Sequence, residues 1–272
     1  MYKLFSLHEK KVVITGAAGV IGSEIAKEMA NLGASIALLD LFENKAQQIA
    51  DDINKNGGRA IAIKADVLDK KSLKNAKEKV ISEFGCVDIL INGAGGNKKE
   101  ATTSEDLSFF EMPEEALKWV LDLNFTGIVM TTQVFGEEIA KAGKGCILNI
   151  SSMAAILPLT NTISYSAAKA AVSNFTQWMA VHYNHNYSKN IRVNAIAPGF
   201  LLTEQNKYLM IDENTGNPSE RGQRVLDNTP MNRYGQPKEL IGAVIWLCSE
   251  AASFVNGAII PIDGGFSIYS GV

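Results

Sequence analysis

Thr15-Gly16-Ala17-Ala18-Gly19-Val20-Ile21-Gly22 is the stretch on which the reading of the fold turns. Before it, Lys11–Thr15 is a short apolar, β-branched run; after it, residues 21–32 carry apolar side chains at helical spacing and stop at Gly33. A strand feeding a helix through a glycine-rich turn is the opening of a βαβ unit. Glycines there permit a tight turn and a close backbone approach to a pyrophosphate, whose charge the helix N-terminus stabilises. Glycines also serve where packing is merely tight, so the turn alone leaves a binding role open.

Working outward, the same alternation recurs. Strands are predicted over Lys11–Thr15, Ser35–Asp40, and residues 60–65, 87–92, 145–151, 192–196 and 258–262. Helices are predicted over 21–32, 44–56, Lys70–Phe84, 113–142, 163–187 and 237–248. Seven short apolar strands alternating with helices predict a Rossmann-type, doubly wound parallel sheet with helices on both faces. With 272 residues, 46% of them hydrophobic, the chain suffices for one domain spanning 1–272. Two segments break the rhythm, 95–112 and 201–233. Both follow the C-terminal ends of predicted strands, where open α/β sheets bind ligands, and are expected to shape a substrate pocket.

Composition narrows the function. A net charge of −3 with 20% charged residues offers no broad basic field for nucleic acid or anionic lipid. The first ten residues, MYKLFSLHEK, do not read as a signal peptide, and no run is long enough to span a bilayer. A cytoplasmic protein is expected. Cys86, Cys146 and Cys248 lack zinc or redox spacing and read as buried, reduced thiols, while His182 and His185 have no acidic or thiol neighbour to complete a metal shell. No metal is expected.

Further candidates lie after the strands. Asp40 closes the second strand, where a carboxylate accepts both ribose hydroxyls of NAD and repels the 2′-phosphate of NADP; the alternative is a cap on the next helix. Asp66 and Asn92-Gly93-Ala94-Gly95 add polar and small residues at the same sheet edge. Tyr165-Ser166-Ala167-Ala168-Lys169 places a phenol and an ammonium on one helix face. At ~4 Å and an effective dielectric near 20, that ammonium favours phenolate by about 4 kcal/mol, enough to bring a tyrosine pKa from ~10 toward neutral pH. A solvated helix face is the alternative for so short a pattern.

TGAAGVIG, Asp40, Asp66-Val67, NGAG, Asn124, ISS, YSAAK and Ala197-Pro198-Gly199 stand together in the order and spacing of the short-chain dehydrogenase/reductase family, which the chain resembles over essentially its whole length. Its turn is GxxGxxG where the family usually has GxxxGxG, with Val20 at a common glycine position. The resemblance implies that Tyr165 transfers the hydroxyl proton, Lys169 lowers its pKa and holds the nicotinamide ribose, Ser152 binds the substrate oxygen and Asn124 holds a relay water. It further implies cofactor contacts from Gly16, Gly19, Val20, Ile21, Gly22, Asp40, Asp66, Val67, Asn92, Gly93, Ala94, Tyr165, Lys169, Pro198, Gly199 and Thr203. Hydride then passes directly between NAD and substrate.

Within the family, residues 93–103, 174–183, 197–206 and 221–224 and the DGGFSIYSGV terminus resemble the branch that interconverts D-mannonate and D-fructuronate. A sugar acid needs hydroxyl partners, for which Asn97, Thr102, Thr160 and Asn161 are candidates, and a carboxylate partner. Arginine suits the latter by bidentate geometry. Of Arg221, Arg224 and Arg233, the last lies in a P-x-x-R-x-G stretch similar to one common across the family and reads as structural. Arg221 is the better choice, with a solvated surface arginine as the alternative. Reduction of another keto-sugar acid, polyol or 3-oxoacyl substrate, and non-catalytic dinucleotide binding, are the rival readings. The family likeness and the apolar excess of helices 113–142 and 163–187 predict a homodimer or homotetramer.

Overall fold

Val12-Val13-Ile14 is apolar on both faces, which places its strand in the middle of a covered sheet. Val12 and Ile14 enter one core with Ile36 and Leu38; Val13 enters the other with Ala37 and Leu39. In the computed structural model, which describes residues 2–203, 207–213 and 215–271, the strands are β1 (Lys11–Thr15), β2 (Ser35–Asp40), β3 (Arg59–Lys64), β4 (Ile89–Asn92), β5 (Gly145–Ile150), β6 (Ile191–Pro198) and β7 (Ile259–Ile262). They pair in parallel in the order β3-β2-β1-β4-β5-β6-β7. The expected seven-stranded, doubly wound sheet is therefore the one observed.

The helices in chain order are α1 (Val20–Asn31), α2 (Glu43–Lys55), α3 (Lys70–Phe84), α4 (Glu114–Leu121), α5 (Gly127–Ala142), α6 (Ile163–Asn186), α7 (Lys207–Met210), α8 (Glu220–Asp227) and α9 (Ile241–Cys248). Ile25 and Met29 of α1, Ala46 and Ile53 of α2, and Val244 and Leu247 of α9 cover one face of the sheet. Leu73 and Val80 of α3, Phe135 and Ile139 of α5, and Met179 and Tyr183 of α6 cover the other.

Three stretches differ from the sequence reading. The helix expected over 113–142 is two helices joined by a π-helical turn, Asp122–Thr126. Within it the Asn124 side-chain amide donates to the Val120 carbonyl, one turn back, at 2.8 Å. The helix expected over 237–248 begins as a 3-10 turn, Pro237–Leu240, because Pro237 and a Gln236–Glu239 capping box tighten its first residues. The segment 201–233 contains α7 and α8, too short to declare themselves by periodicity; residues 204–206, the end of the APGFLLTEQN likeness, lie outside the described residues.

The chain runs from β1 out to β2 and β3, then returns to β4 on the other flank of β1. The crevice at the carboxyl ends of β1 and β4 is thus the topological switch point, where such sheets take their ligands.

Candidate active site

Gly16 turns the chain at φ +65°, and a Cβ there would lie 2.7 Å from Ala94 Cα; one at Gly93 would lie 2.8 Å from the Thr15 carbonyl. The turns after β1 and β4 are therefore pressed together with no room for side chains. Thr15 Oγ1 locks them, accepting the N–H groups of Gly93 and Ala94 at 3.2 and 3.3 Å. Gly22 packs on the Gly16 carbonyl, which a Cβ would approach to 2.5 Å. Gly19 caps α1 without any side-chain hydrogen bond, leaving first-turn N–H groups, including those of Val20 and Ile21, available to an anion. This bare, crowded backbone fits a dinucleotide phosphate despite Val20, because the glycines that sterics demand are 16, 22 and 93.

Asp40 closes the same cradle. Its carboxylate accepts the Ala18 N–H at 2.9 Å and the Phe42 N–H at 3.0 Å, so it braces the glycine-rich turn and the end of β2 together. Each oxygen keeps a second acceptor position. Asp66 accepts the Leu68 N–H at 2.8 Å and Val67 is buried. Asn92 sits otherwise than expected of a cofactor contact. Its side chain lies in the interior, donating to Thr132 Oγ1 at 3.1 Å and Asn149 Oδ1 at 2.8 Å.

Four candidate residues converge at the switch point. Ser152 follows β5, and its hydroxyl acts on the Tyr165 phenol near the start of α6. One turn on, Lys169 is buried and donates to the Ile150 carbonyl at 2.8 Å. Asn124 is held by the Gly96 carbonyl at 2.6 Å and the Gly96 N–H at 3.1 Å. Gly95 sits between Asn124 and Lys169: a Cβ on it would lie 2.7 Å from Asn124 Oδ1 and 3.4 Å from Lys169 Nζ.

The electrostatics depart from the simple i,i+4 expectation. Burial pushes the Tyr165 phenol above its ordinary value, with the Ser152 hydrogen bond opposing it. Burial likewise pulls the Lys169 ammonium down to about 8. Lys169 Nζ reaches the Ile150 carbonyl and lies 5.6 Å from the Tyr165 ring centroid, so it passes over the ring instead of meeting the phenol oxygen. In this geometry the phenol stays protonated and is poised to donate.

Toward the substrate side, the Thr103 N–H donates to the Asn161 carbonyl at 3.0 Å, joining the 95–112 segment to the loop that carries Thr160. Asn97 donates to Thr102 Oγ1 at 2.9 Å. The Gly199 N–H bonds the Ile262 carbonyl, and a Cβ on Gly199 would meet Asp263 Cα at 2.6 Å, so Pro198-Gly199 is fixed against the end of β7. Thr203 lies half-buried just beyond. The arginines divide cleanly. Arg233 grips Glu239 through two bonds of 2.8 and 2.7 Å, and Arg224 makes a 3.4 Å exposed pair with Glu220. Arg221 is half-buried and, among the described residues, has no hydrogen bond or ion pair.

A family model described as enoyl-(acyl carrier protein) reductase matches residues 16–267. The chain belongs to the short-chain dehydrogenase/reductase family. It is 46% identical to an uncharacterised oxidoreductase, UxuB, of Bacillus subtilis, covering 99% of this chain and 100% of that one. A Haemophilus influenzae structure with NAD bound, provisionally described as a D-mannonate oxidoreductase, superposes with a TM-score of 0.92 at 45% identity, covering 98% of both chains. The 7α-hydroxysteroid dehydrogenase of Escherichia coli is 37% identical over 95% of this chain and 94% of its own. As a short-chain dehydrogenase/reductase, this protein is an oxidoreductase acting on alcohol groups.

Two features of this oxidoreductase escaped the sequence reading. Gly95 was visible only as part of NGAG, and its contact with Asn124 needs the fold. Thr162, at the head of α6, has a buried hydroxyl with no partner among the described residues. No sequence signal marks it.

Proposed function

We propose that the protein interconverts D-fructuronate and D-mannonate with NAD(H). The observation that carries the acid substrate is Arg221, a half-buried arginine with no partner among the described residues while both neighbouring arginines are engaged. A partly buried cation without a partner gains from a substrate carboxylate that pairs with it. The H. influenzae relative supports the same reading.

When bound, NAD supplies the hydride acceptor or donor. Ser152 holds the substrate oxygen. Tyr165 gives that oxygen its proton in reduction and takes it back in oxidation; burial keeps the phenol in the protonated form that donation starts from. Lys169 and Asn124 stand behind Tyr165 as ribose anchor and relay. Asp40 selects NAD, because its carboxylate repels a 2′-phosphate and no lysine or arginine directly follows it in the sequence to neutralise one; Lys64 is its register partner on β3. Gly16, Gly19, Val20, Ile21, Gly22, Asp66, Val67, Gly93 and Ala94 line the cofactor, with Asn92 behind them. Pro198, Gly199 and Thr203 cover the nicotinamide end. Asn97 and Thr160 meet substrate hydroxyls.

Assembly into a homodimer or homotetramer would cover the apolar groove between α5 and α6, where Trp178 and Tyr187 stand exposed. Three free thiols, of which Cys86 is exposed against expectation, suit the cytoplasm.

The test is kcat/KM for fructuronate, fructose and a 7-oxo bile acid, with NADH and NADPH, for the native protein and Arg221→Ala. Fructuronate with NADH should lead, and Arg221→Ala should cost the acid about 2–4 kcal/mol in transition-state binding while sparing fructose. Equal losses on both sugars would remove Arg221 from this role. Fructose matching fructuronate, or the bile acid surpassing it, would overturn the substrate assignment.

A further inference from the structure

Lys98 follows Asn97 in the 95–112 segment, and the fold roots it between Asn124 and Tyr165. Two residues before it, Gly96 holds Asn124 through its carbonyl at 2.6 Å and its N–H at 3.1 Å. Three residues after it, Ala101 is fully buried in a small cluster with Ala116 and Val120 of α4, against which both Tyr165 and Trp119 pack. The stretch between is a closed turn. The Lys98 carbonyl accepts the Ala101 N–H at 3.1 Å and the Thr102 hydroxyl at 2.9 Å, while Thr102 Oγ1 accepts the Asn97 side-chain amide at 2.9 Å. The backbone of Lys98 is therefore pinned beside the candidate site.

Its side chain has a station as well. Lys98 Nζ stands over the Trp119 ring, 4.1 Å from the centroid, and both residues are half-buried. Among the described residues the ammonium has no hydrogen bond, and no carboxylate of the 95–112 segment or of α4 comes within ion-pair distance of it. Lys77 is the internal contrast, paired with Glu137 at 3.0 Å and Glu138 at 3.3 Å. A carboxylate partner neutralises an ammonium and occupies its N–H groups. An indole face does neither: it attracts the cation through its quadrupole, restrains a flexible stem, and leaves the charge and the N–H donors for another group. A cation held in this way has met its ordering cost before an anion arrives.

We propose that Lys98 is a specificity-determining residue whose ammonium, stationed on Trp119, takes the carboxylate of the substrate. This rests on the acid-substrate reading above, though not on the choice of Arg221. In fructuronate the carboxylate stands near the opposite end of the carbon chain from the ketone. Its partner must therefore be set back from Tyr165, and Lys98 is, since its turn meets Tyr165 only through the Ala101 cluster. A carboxylate drawn to Lys98 tethers the far end of the chain while the ketone is presented to Ser152 and Tyr165. A neutral keto-sugar has no such tether. Two carboxylate oxygens accept from more than one donor, so a contact from Arg221 and one from Lys98 are compatible.

The test compares full-length native protein with Lys98→Met, Lys98→Arg and Trp119→Leu, on fructuronate and fructose with NADH. Methionine keeps an apolar stem against the indole and removes only the charge. Lys98→Met should raise KM for fructuronate about 10- to 100-fold while kcat changes less than about threefold, because the tether acts alike in ground and transition states. The ratio of kcat/KM for fructuronate to that for fructose should fall with it. Lys98→Arg, which restores the charge, should recover most of the native KM, and Trp119→Leu, which keeps the charge but loses its station, should fall between native and Lys98→Met. A KM within twofold of native in Lys98→Met, a loss confined to kcat, an equal loss on both sugars, or no recovery in Lys98→Arg would each overturn the role of Lys98 and leave the acid reading standing. Native protein that turns over fructose as well as fructuronate would overturn the acid reading and this proposal with it, an outcome visible before any variant is compared.

Discussion

Replacing Gly95 with alanine tests the candidate site where it is tightest. The new Cβ would stand 2.7 Å from Asn124 Oδ1, whereas ordinary contact begins near 3.4 Å, so about 0.7 Å must be found (3.4 − 2.7). Asn124 has little freedom to supply it. Its amide is fully buried and holds the Gly96 carbonyl at 2.6 Å, the Val120 carbonyl at 2.8 Å and the Gly96 N–H at 3.1 Å. Lys169, 3.4 Å from the same Cβ, is anchored on Ile150. A displacement of that size lengthens at least one bond and leaves a buried polar atom short of a partner, at a cost of about 1–3 kcal/mol. Expressed in the transition state, this lowers kcat by about 5- to 150-fold. Steady-state kinetics on the best substrate of the panel measure it, and NADH fluorescence titration should show a much smaller change in Kd. A kcat within twofold of native in a Gly95→Ala protein with unaltered Tm would refute the argument that Gly95 sets the spacing of Asn124 and Lys169.

Tyr165→Phe should bind NADH nearly as well as the native protein yet turn over about 10²-fold more slowly; near-native turnover in the folded variant would exclude Tyr165 as proton donor. Asp40→Ala should raise the ratio of kcat/KM for NADPH to that for NADH, and should also lower Tm because Ala18 and Phe42 lose their acceptor. An unchanged ratio would count against Asp40 as the selector. Lys169→Met should abolish activity but stabilise the fold. The native pKa of Lys169, about 8, lies below the unfolded 10.5, so the unfolded chain binds more protons between those values, and burying the ammonium costs about 3 kcal/mol at pH 7. Urea unfolding of both proteins should therefore show the variant's advantage shrinking as pH rises from 8 toward 10.5; a gap independent of pH would defeat this reading.

The elements most legible in sequence were those with a uniform physical demand. Ile36-Ala37-Leu38-Leu39 can only be a strand buried on both faces, and Gly33 and Gly85 end their helices at positive φ. The i,i+4 spacing of Tyr165 and Lys169 correctly puts them on one helix face. It does not say where a four-carbon stem delivers its ammonium, and the Ile150 carbonyl competes successfully for it. Asp40 was readable as an acceptor, but its bond to Ala18 crosses between two loops and needs the turn in place. The division of labour among Arg221, Arg224 and Arg233 was equally hidden, since it depends on where Glu239 and Glu220 stand after folding.

The π turn at Asp122–Thr126 has a consequence for how the chain tolerates change. Such a turn holds one residue more than the α-helical turn it replaces, so α5 is rotated by about 100° from the position an uninterrupted helix would assign. Removing a single residue there would yield a smoother helix. It would also swing Phe135 and Ile139 away from the sheet and draw Asn124 off Gly96. One surplus residue thus sets the register of both the core beneath α5 and the asparagine beside Lys169, so neither can be reset without the other.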